Sequence, residues 1–300
     1  MLKGLMITPP MIGRITIGQV VEKNGKRLPQ KDDQFTITSQ IQTTQGWIKH
    51  PFDEQLRDGQ KKLRSIPVQL MFNDPDLNLR AEYCLFDRQT ARPICIGNGE
   101  SCSRNTQNGY ETLPCPSPDH CELAQSGCKP YGRLNVVVTP ESEQSDDPIG
   151  SFVFRTSGFN SIRTLASRLS YFQALSGNRL ACLPLALKVR GKSTRQSFGK
   201  PIYYVDLTLR TGLDLQQTLE QAKQLDAHRK EMGFDQDALD KAAKVGFANG
   251  HFEDDEDTVE TVLEEFYPPN TAQQDQGNQQ PNVAANLNER LAQQTQSLNA

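Results

Sequence analysis

Histidine is scarce in this chain: four in 300 residues, at positions 50, 120, 228 and 251. No His-Glu-x-x-His, Gly-x-Ser-x-Gly or Gly-x-x-x-x-Gly-Lys-Ser/Thr occurs, so zinc-protease, serine-hydrolase and P-loop readings lose their usual support. Long apolar runs are missing too. Nothing approaches the roughly 18 residues of a membrane span, and Thr8-Pro9-Pro10 interrupts the N-terminal segment before it could read as a secretory signal. The expected setting is therefore intracellular, with no membrane partner. The hydrophobic fraction is 36%, and the deficit falls mainly after Pro268. Residues 268–300, rich in Gln and Asn, cannot bury enough apolar surface to order themselves and are expected to be a disordered tail.

What remains divides by periodicity. Residues 15–40 hold two β-branched runs around Asn24-Gly25, which predicts a hairpin. Further strands are expected at 66–72, 79–86, 93–96, 134–138 and 151–156, with turn chemistry at Asn73-Asp74-Pro75-Asp76 and an acidic connection over 141–147. After Gly158 the period changes to about 3.6. Ile162, Leu165, Leu169, Phe172 and Leu175 predict an amphipathic helix, capped by Asn160 or Ser161 and ended by Gly177. Alternation returns at 183–190 and 203–210, giving two half-buried strands around a basic loop, and charged helices follow at 215–232, 236–248 and 258–266. The fold class is α+β: a mostly antiparallel β core over 1–212 with an inserted loop at 97–130, one packed helix, and an acidic helical extension over 213–267. A small barrel of the oligonucleotide-binding kind would also suit this order.

The chain's net charge of −3 conceals a division. Residues 151–210 carry ten Lys or Arg against Asp206, a net of +9, whereas residues 211–300 carry a net of −11. A central surface that attracts anions and an acidic C-terminal part that repels or competes with them follow from this asymmetry. Lys188, Arg190, Lys192 and Arg195 form a candidate phosphate-contacting loop, extended by Arg163 and Arg168 off the apolar side of the helix, with Tyr203 or Tyr204 as a stacking face. The alternative is a soluble sheet edge blunted by cations. No helix carries a major-groove reading set, so DNA contacts should go mostly to the backbone.

Four of the seven cysteines, Cys102, Cys115, Cys121 and Cys128, fall within 27 residues of Pro- and Gly-rich sequence. In a reducing compartment such a group reads better as metal ligands than as disulfides. Four thiolates would close the tetrahedron of one structural Zn²⁺ and leave no position for a catalytic water. Cys-x-x-Cys pairs are absent, and Cys95 and His120 compete as ligands; Cys84 and Cys182 lie in strand patterns and read as buried small hydrophobes. Paired carboxylates could hold Mg²⁺ at Asp74 and Asp76, although this sequence is usually a turn; the acidic run 251–257 fits a solvated helix start better than a Ca²⁺ loop. No catalytic residue and no small-molecule substrate is assigned.

Taken together, ITPPMIGRITIG, IPVQLMFNDPDLNLRAEY, the cysteine segment CSRN…CPSPDHCELAQSGCKPYGRL and GSFVFRTSGFNSIRTLASRLSYFQAL resemble the phage recombination directionality factor-like family over residues 5–210. Relatives on integrative elements are often labelled hydrolase or metal-binding proteins. The resemblance implies a non-catalytic protein of a phage or mobile element, in the cytoplasm of a bacterial host, that binds a site-specific recombinase of the large serine integrase class on DNA and turns it toward excision. A single-stranded DNA accessory protein is the second reading and a metal-dependent hydrolase the third. The acidic extension and the tail depart from the family pattern.

Overall fold

Alternating β-branched and polar residues make the first two strands, β1 (Met11–Lys23) and β2 (Lys26–Thr43), a long antiparallel pair that buries Ile15, Phe35 and Ile37 on one face. The structure is a computed structural model, and the residues it describes are 10–23, 26–43, 46–57, 59, 62–140, 149–195, 197–249 and 266. The Asn24-Gly25 turn, the acidic connection over 141–147, all but Phe266 of the helix expected at 258–266, and the tail lie outside them. A short β3 (Gly46–Lys49) adds to β2, and His50 then caps α1 (Pro51–Gln55), its Nδ1 accepting from Phe52 N at 3.2 Å. Inside α1, Asp53 is 1% exposed; it accepts from Ile37 N at 2.9 Å and from Arg57 Nε at 2.9 Å, fixing the helix to β2.

Next come β4 (Ser65–Gln69), α2 (Pro75–Asn78), β5 (Leu79–Phe86), β6 (Pro93–Gly97), β7 (Ser101–Thr106), β8 (Gly109–Pro114), β9 (Lys129–Val138) and β10 (Ser151–Thr156). After them follow α3 (Phe159–Leu175), β11 (Leu185–Lys192), β12 (Ile202–Leu209), α4 (Leu215–Glu231) and α5 (Gln236–Asn249). The main sheet runs β3-β2-β1-β10-β9-β5-β6-β7-β8, antiparallel except where β1 meets β10. At the far end of β9, Val138 pairs with Val68 of β4, which leads through β11 to β12.

The architecture is α+β, and the sheet is open, not a closed barrel. One reason is visible at β12: the backbone N–H of Val205 donates at 3.1 Å to Ser161 Oγ of α3, so that edge is covered by a helix where a barrel would need a strand. Ser161 thus joins α3 to β12, and Gly158 is the N-cap, without a side-chain cap. Leu165, Leu169 and Phe172 enter the main core with Leu134, Val136, Phe152, Phe154, Leu185 and Leu187. Helix α4 adds Ala222 to that core, and α5 packs Ala243 against Phe72 and Leu77.

Residues 97–130 are not a bare loop. β7 and β8 form a hairpin that continues the main sheet beyond β6, turning at Asn108-Gly109, where Gly109 has φ of +102° and Thr106 Oγ1 donates to Gly109 O at 2.9 Å. The expected turn at 73–76 is the entry to α2: Asp74 caps that helix by accepting from Asp76 N at 2.9 Å.

Candidate metal centre and anion-binding corner

Along β6 the side chains alternate, so Ile96 goes to one side of the sheet and Cys95 to the other. On the Cys95 side a small cluster forms from Leu85, Cys95 and Cys102, with Cys115, Cys128, Ile94, Leu113 and Leu123 packed against it. Register accounts for the meeting. Gly97 pairs with Cys102 across β6 and β7, and the backbone N–H of Cys115, just past β8, donates to Glu100 O at 2.9 Å. Gly97 is a close-approach position: a Cβ there would stand 2.7 Å from Cys115 Sγ and 2.7 Å from Cys102 Cβ. Cys121 precedes a 3₁₀ turn over Glu122–Ala124, and the chain re-enters β9 after Cys128, whose N–H donates to Leu123 O at 3.4 Å.

Burial, then the hydrogen bond and charge of Cys95, push the Cys102 thiol up to about 11. Burial, then the charges of Cys95, Cys121, Cys115 and Cys102, push Cys128 up to about 12. Five sulfurs therefore share one electrostatic neighbourhood, in which they disfavour each other's ionisation unless a cation offsets them. The four cysteines singled out from sequence are brought together, and Cys95 joins them. His120 is an exposed turn residue. Soft sulfur donors fit thiolate-bound zinc by chemistry, but among the described residues no three His, Cys, Asp or Glu side chains are arranged to hold a metal ion. Cys84 is fully buried on the opposite side of the sheet, and Cys182, 5% exposed, belongs to the main core.

The second site lies where α3 crosses β11 and β12. Alternation sends Leu185, Leu187 and Val189 into the core and turns Lys188, Arg190 and Lys192 outward. Asp206, 5% exposed, stands opposite Lys188 and accepts from Arg168 Nε at 3.1 Å and Arg190 Nε at 3.3 Å. One buried carboxylate thus pairs with two half-exposed arginines. Lys192 Nζ donates to Asn160 Oδ1 at 2.7 Å at the start of α3 and lies 5.8 Å from the Tyr204 ring centroid. Arg163 is exposed on the next helical turn, and Arg195 is exposed in the loop between the two strands. Ser197 ties that loop, its Oγ donating to Thr194 O at 2.9 Å. At its tip Phe198 is 91% exposed, with φ of +50°.

Sequence reading found the six cations but missed Phe198 and the organising role of Asp206. An aromatic residue between Arg195 and Lys200, followed by Gly199, was the available signal. Asp74, weighed as a metal ligand, is taken up by its helix cap and by Lys244 at 2.7 Å. The acidic run 251–257 lies outside the described residues. Among those described, no helix is long and apolar enough to cross a membrane.

A family model described as Gp3-like, recombination directionality factor-like, matches residues 12–210. Comparison with curated proteins and with solved structures gives no match. The matched span contains both the cysteine cluster and the basic corner and ends where β12 ends, so α4 and α5 lie beyond it.

Proposed function

Because the chain belongs to the Gp3-like, recombination directionality factor-like family, we propose that it acts without covalent chemistry of its own, binding a serine integrase on DNA in the host cytoplasm and favouring the arrangement that leads to excision. Such a factor shifts a population: it binds one arrangement of the recombinase–DNA complex more tightly than the other, and a differential of about 1.4 kcal/mol moves the ratio about tenfold. The observation that carries this reading is the match over 12–210, which spans both built sites.

In this reading the basic corner holds phosphates. Lys188, Arg190 and Lys192 present cations from one side of a rigid hairpin, Arg163, Arg168 and Arg195 widen the surface, and Phe198 offers an apolar face for a base step. The cysteine hairpin serves a structural purpose. One zinc, held by Cys102, Cys115, Cys121 and Cys128 with Cys95 as the competing ligand, supplies order to β6, β7 and β8 where apolar side chains are few. The exposed Phe198 beside cations also favours the second reading, a single-stranded DNA accessory protein that stacks bases.

The test is recombination in a purified system. Added to a serine integrase from the same element, the protein should raise excision and depress integration, each by at least about tenfold, and Arg190→Glu or Lys192→Glu should remove the effect. Unchanged excision together with tight single-strand binding would transfer the assignment to the second reading.

A further inference from the structure

A zinc tetrahedron takes four ligands, and the hairpin end of the main sheet offers five sulfurs. Packing separates them. Leu85, Cys95 and Cys102 form the buried centre of the cluster, and Cys115 and Cys128 lie directly against it. Cys121 is not among the residues packed there; it is half-buried and precedes the 3₁₀ turn over Glu122–Ala124.

Strand register gives the reason. Cys95 stands opposite Arg104 and Gly97 opposite Cys102, so all four positions share one face of the β6–β7 pair. Gly97 leaves the space over β6 open, and neighbouring segments fill it: Cys102 Cβ and Cys115 Sγ would each lie 2.7 Å from a Cβ at that position. Cys95 is the next side chain along β6 on this face. It hydrogen-bonds Cys102, and its charge acts on Cys128 more strongly than that of Cys121, Cys115 or Cys102. Arg104 is bound into the same group. A hydrogen bond with Cys95, working against burial, and then the charges of Cys95, Cys102 and Cys121 hold its guanidinium above the ordinary value. Zinc held by four thiolates carries net negative charge, which a guanidinium in this position offsets.

We infer that the zinc ligands are Cys95, Cys102, Cys115 and Cys128, and that Cys121 is left as a free thiol. The inference rests on the zinc reading and decides the competition within it in favour of Cys95. With this set, one ion ties together β6, β7, the end of β8 and the entry to β9. With Cys121 in place of Cys95, β6 would hold no ligand, although β6 is the strand that joins the hairpin to the main sheet.

The test uses the full chain purified with its metal. Iodoacetamide, which alkylates accessible thiolates, should label Cys121 at least about tenfold faster than Cys95, Cys102, Cys115 or Cys128. Mass measurement of the intact protein under native conditions should find zinc still bound to the Cys121-labelled chain. Cys121→Ser should keep about one zinc per chain, with an affinity in chelator competition within about threefold of wild type, whereas Cys95→Ser should weaken binding by at least about tenfold. Labelling of the wild-type chain decides the matter even where Cys95→Ser fails to fold. Zinc released when Cys121 is alkylated, zinc lost from Cys121→Ser, or zinc held at full affinity by Cys95→Ser overturns the ligand assignment and leaves the zinc reading standing. A wild-type chain that carries no zinc and takes none up when it is supplied overturns both.

Discussion

The two ends of β9 show two ways of holding a strand. Leu134, Val136 and Val138 enter an apolar cluster that gathers residues from three of the five helices, including Leu165 of α3 and Ala222 of α4, and from eight strands. At the other end, where Lys129 and Tyr131 meet β5 and β6, the cluster beside Cys128 has three buried members, Leu85, Cys95 and Cys102, two of them thiols. The first region is stabilised by area: a fully buried Leu or Phe contributes about 1.5–3 kcal/mol by transfer. That second cluster cannot reach such a sum, and its hairpin is held by cross-strand hydrogen bonds, to which the proposed zinc would add. A hairpin with so small a core persists in water only with support of this kind.

The sharpest way to break the comparison is to damage the larger core alone. Leu165→Ala removes a side chain that is 0% exposed and should cost about 2–5 kcal/mol in denaturant-measured global stability. Hydrogen exchange in β7 and β8, relative to the rest of the protein, should change little. Equal loss in both regions would mean that they unfold as one unit.

Next in size is Asp53, which joins α1 to β2 within that core. Burial alone would raise its pKa, but the hydrogen bond from Arg57, the Ile37 N–H, and the charges of Arg57 and Lys49 outweigh burial and hold the carboxyl below its ordinary value. A depressed folded pKa means that this stabilisation is present above the unfolded value near 3.9 and is lost as pH falls through the folded one. Stability should therefore decline in acid below about pH 4. Asp53→Asn should flatten this decline and cost about 1.5–3 kcal/mol at pH 7 in chemical denaturation.

The smallest expected effect concerns α5. Asp240 accepts from Asn73 N at 3.0 Å and Gln236 Nε2 at 2.7 Å, and burial, exceeding those hydrogen bonds, raises its pKa. The sign is opposite to that of Asp53: the docking contribution is complete below the unfolded value and is lost as pH rises through the folded one. Amide protection in α5 should decrease between those limits. Asp240→Asn should make it independent of pH there, changing stability at neutral pH by no more than about 0.5 kcal/mol.

Much of the fold was legible because periodicity is local. Leu79–Phe86 and Ser151–Thr156 emerge with the bounds read from the sequence, and Ile162, Leu165, Leu169 and Phe172 are buried on one side of α3 as their spacing requires. The hairpin β7–β8 was missed because its strands, SCSRNT and GYETLP, are mostly solvent-facing and lack an apolar alternation; Asn108-Gly109 was the signal left unused. Cys95 was legible only as a competing ligand, and it is strand alternation that turns it away from Ile96 and toward the other thiols. Asp206 looked like one acid among ten cations, and only the pairing of β11 with β12 shows it holding Arg168 and Arg190. The opposition of Arg80, Arg133 and Arg155 across β5, β9 and β10 lay beyond local reading altogether, since these residues become neighbours only through strand order.

The proposal that metal orders the cysteine hairpin, while apolar packing orders the main core, has one direct measurement. The metal content of the purified full chain is determined, and its hydrogen exchange is followed before and after a strong chelator. The account predicts about one zinc per chain, with chelation releasing protection in β6, β7 and β8 but not in β10, β11 and β12. A metal-free protein, or one whose β7 and β8 keep full protection after the metal is stripped, would contradict it.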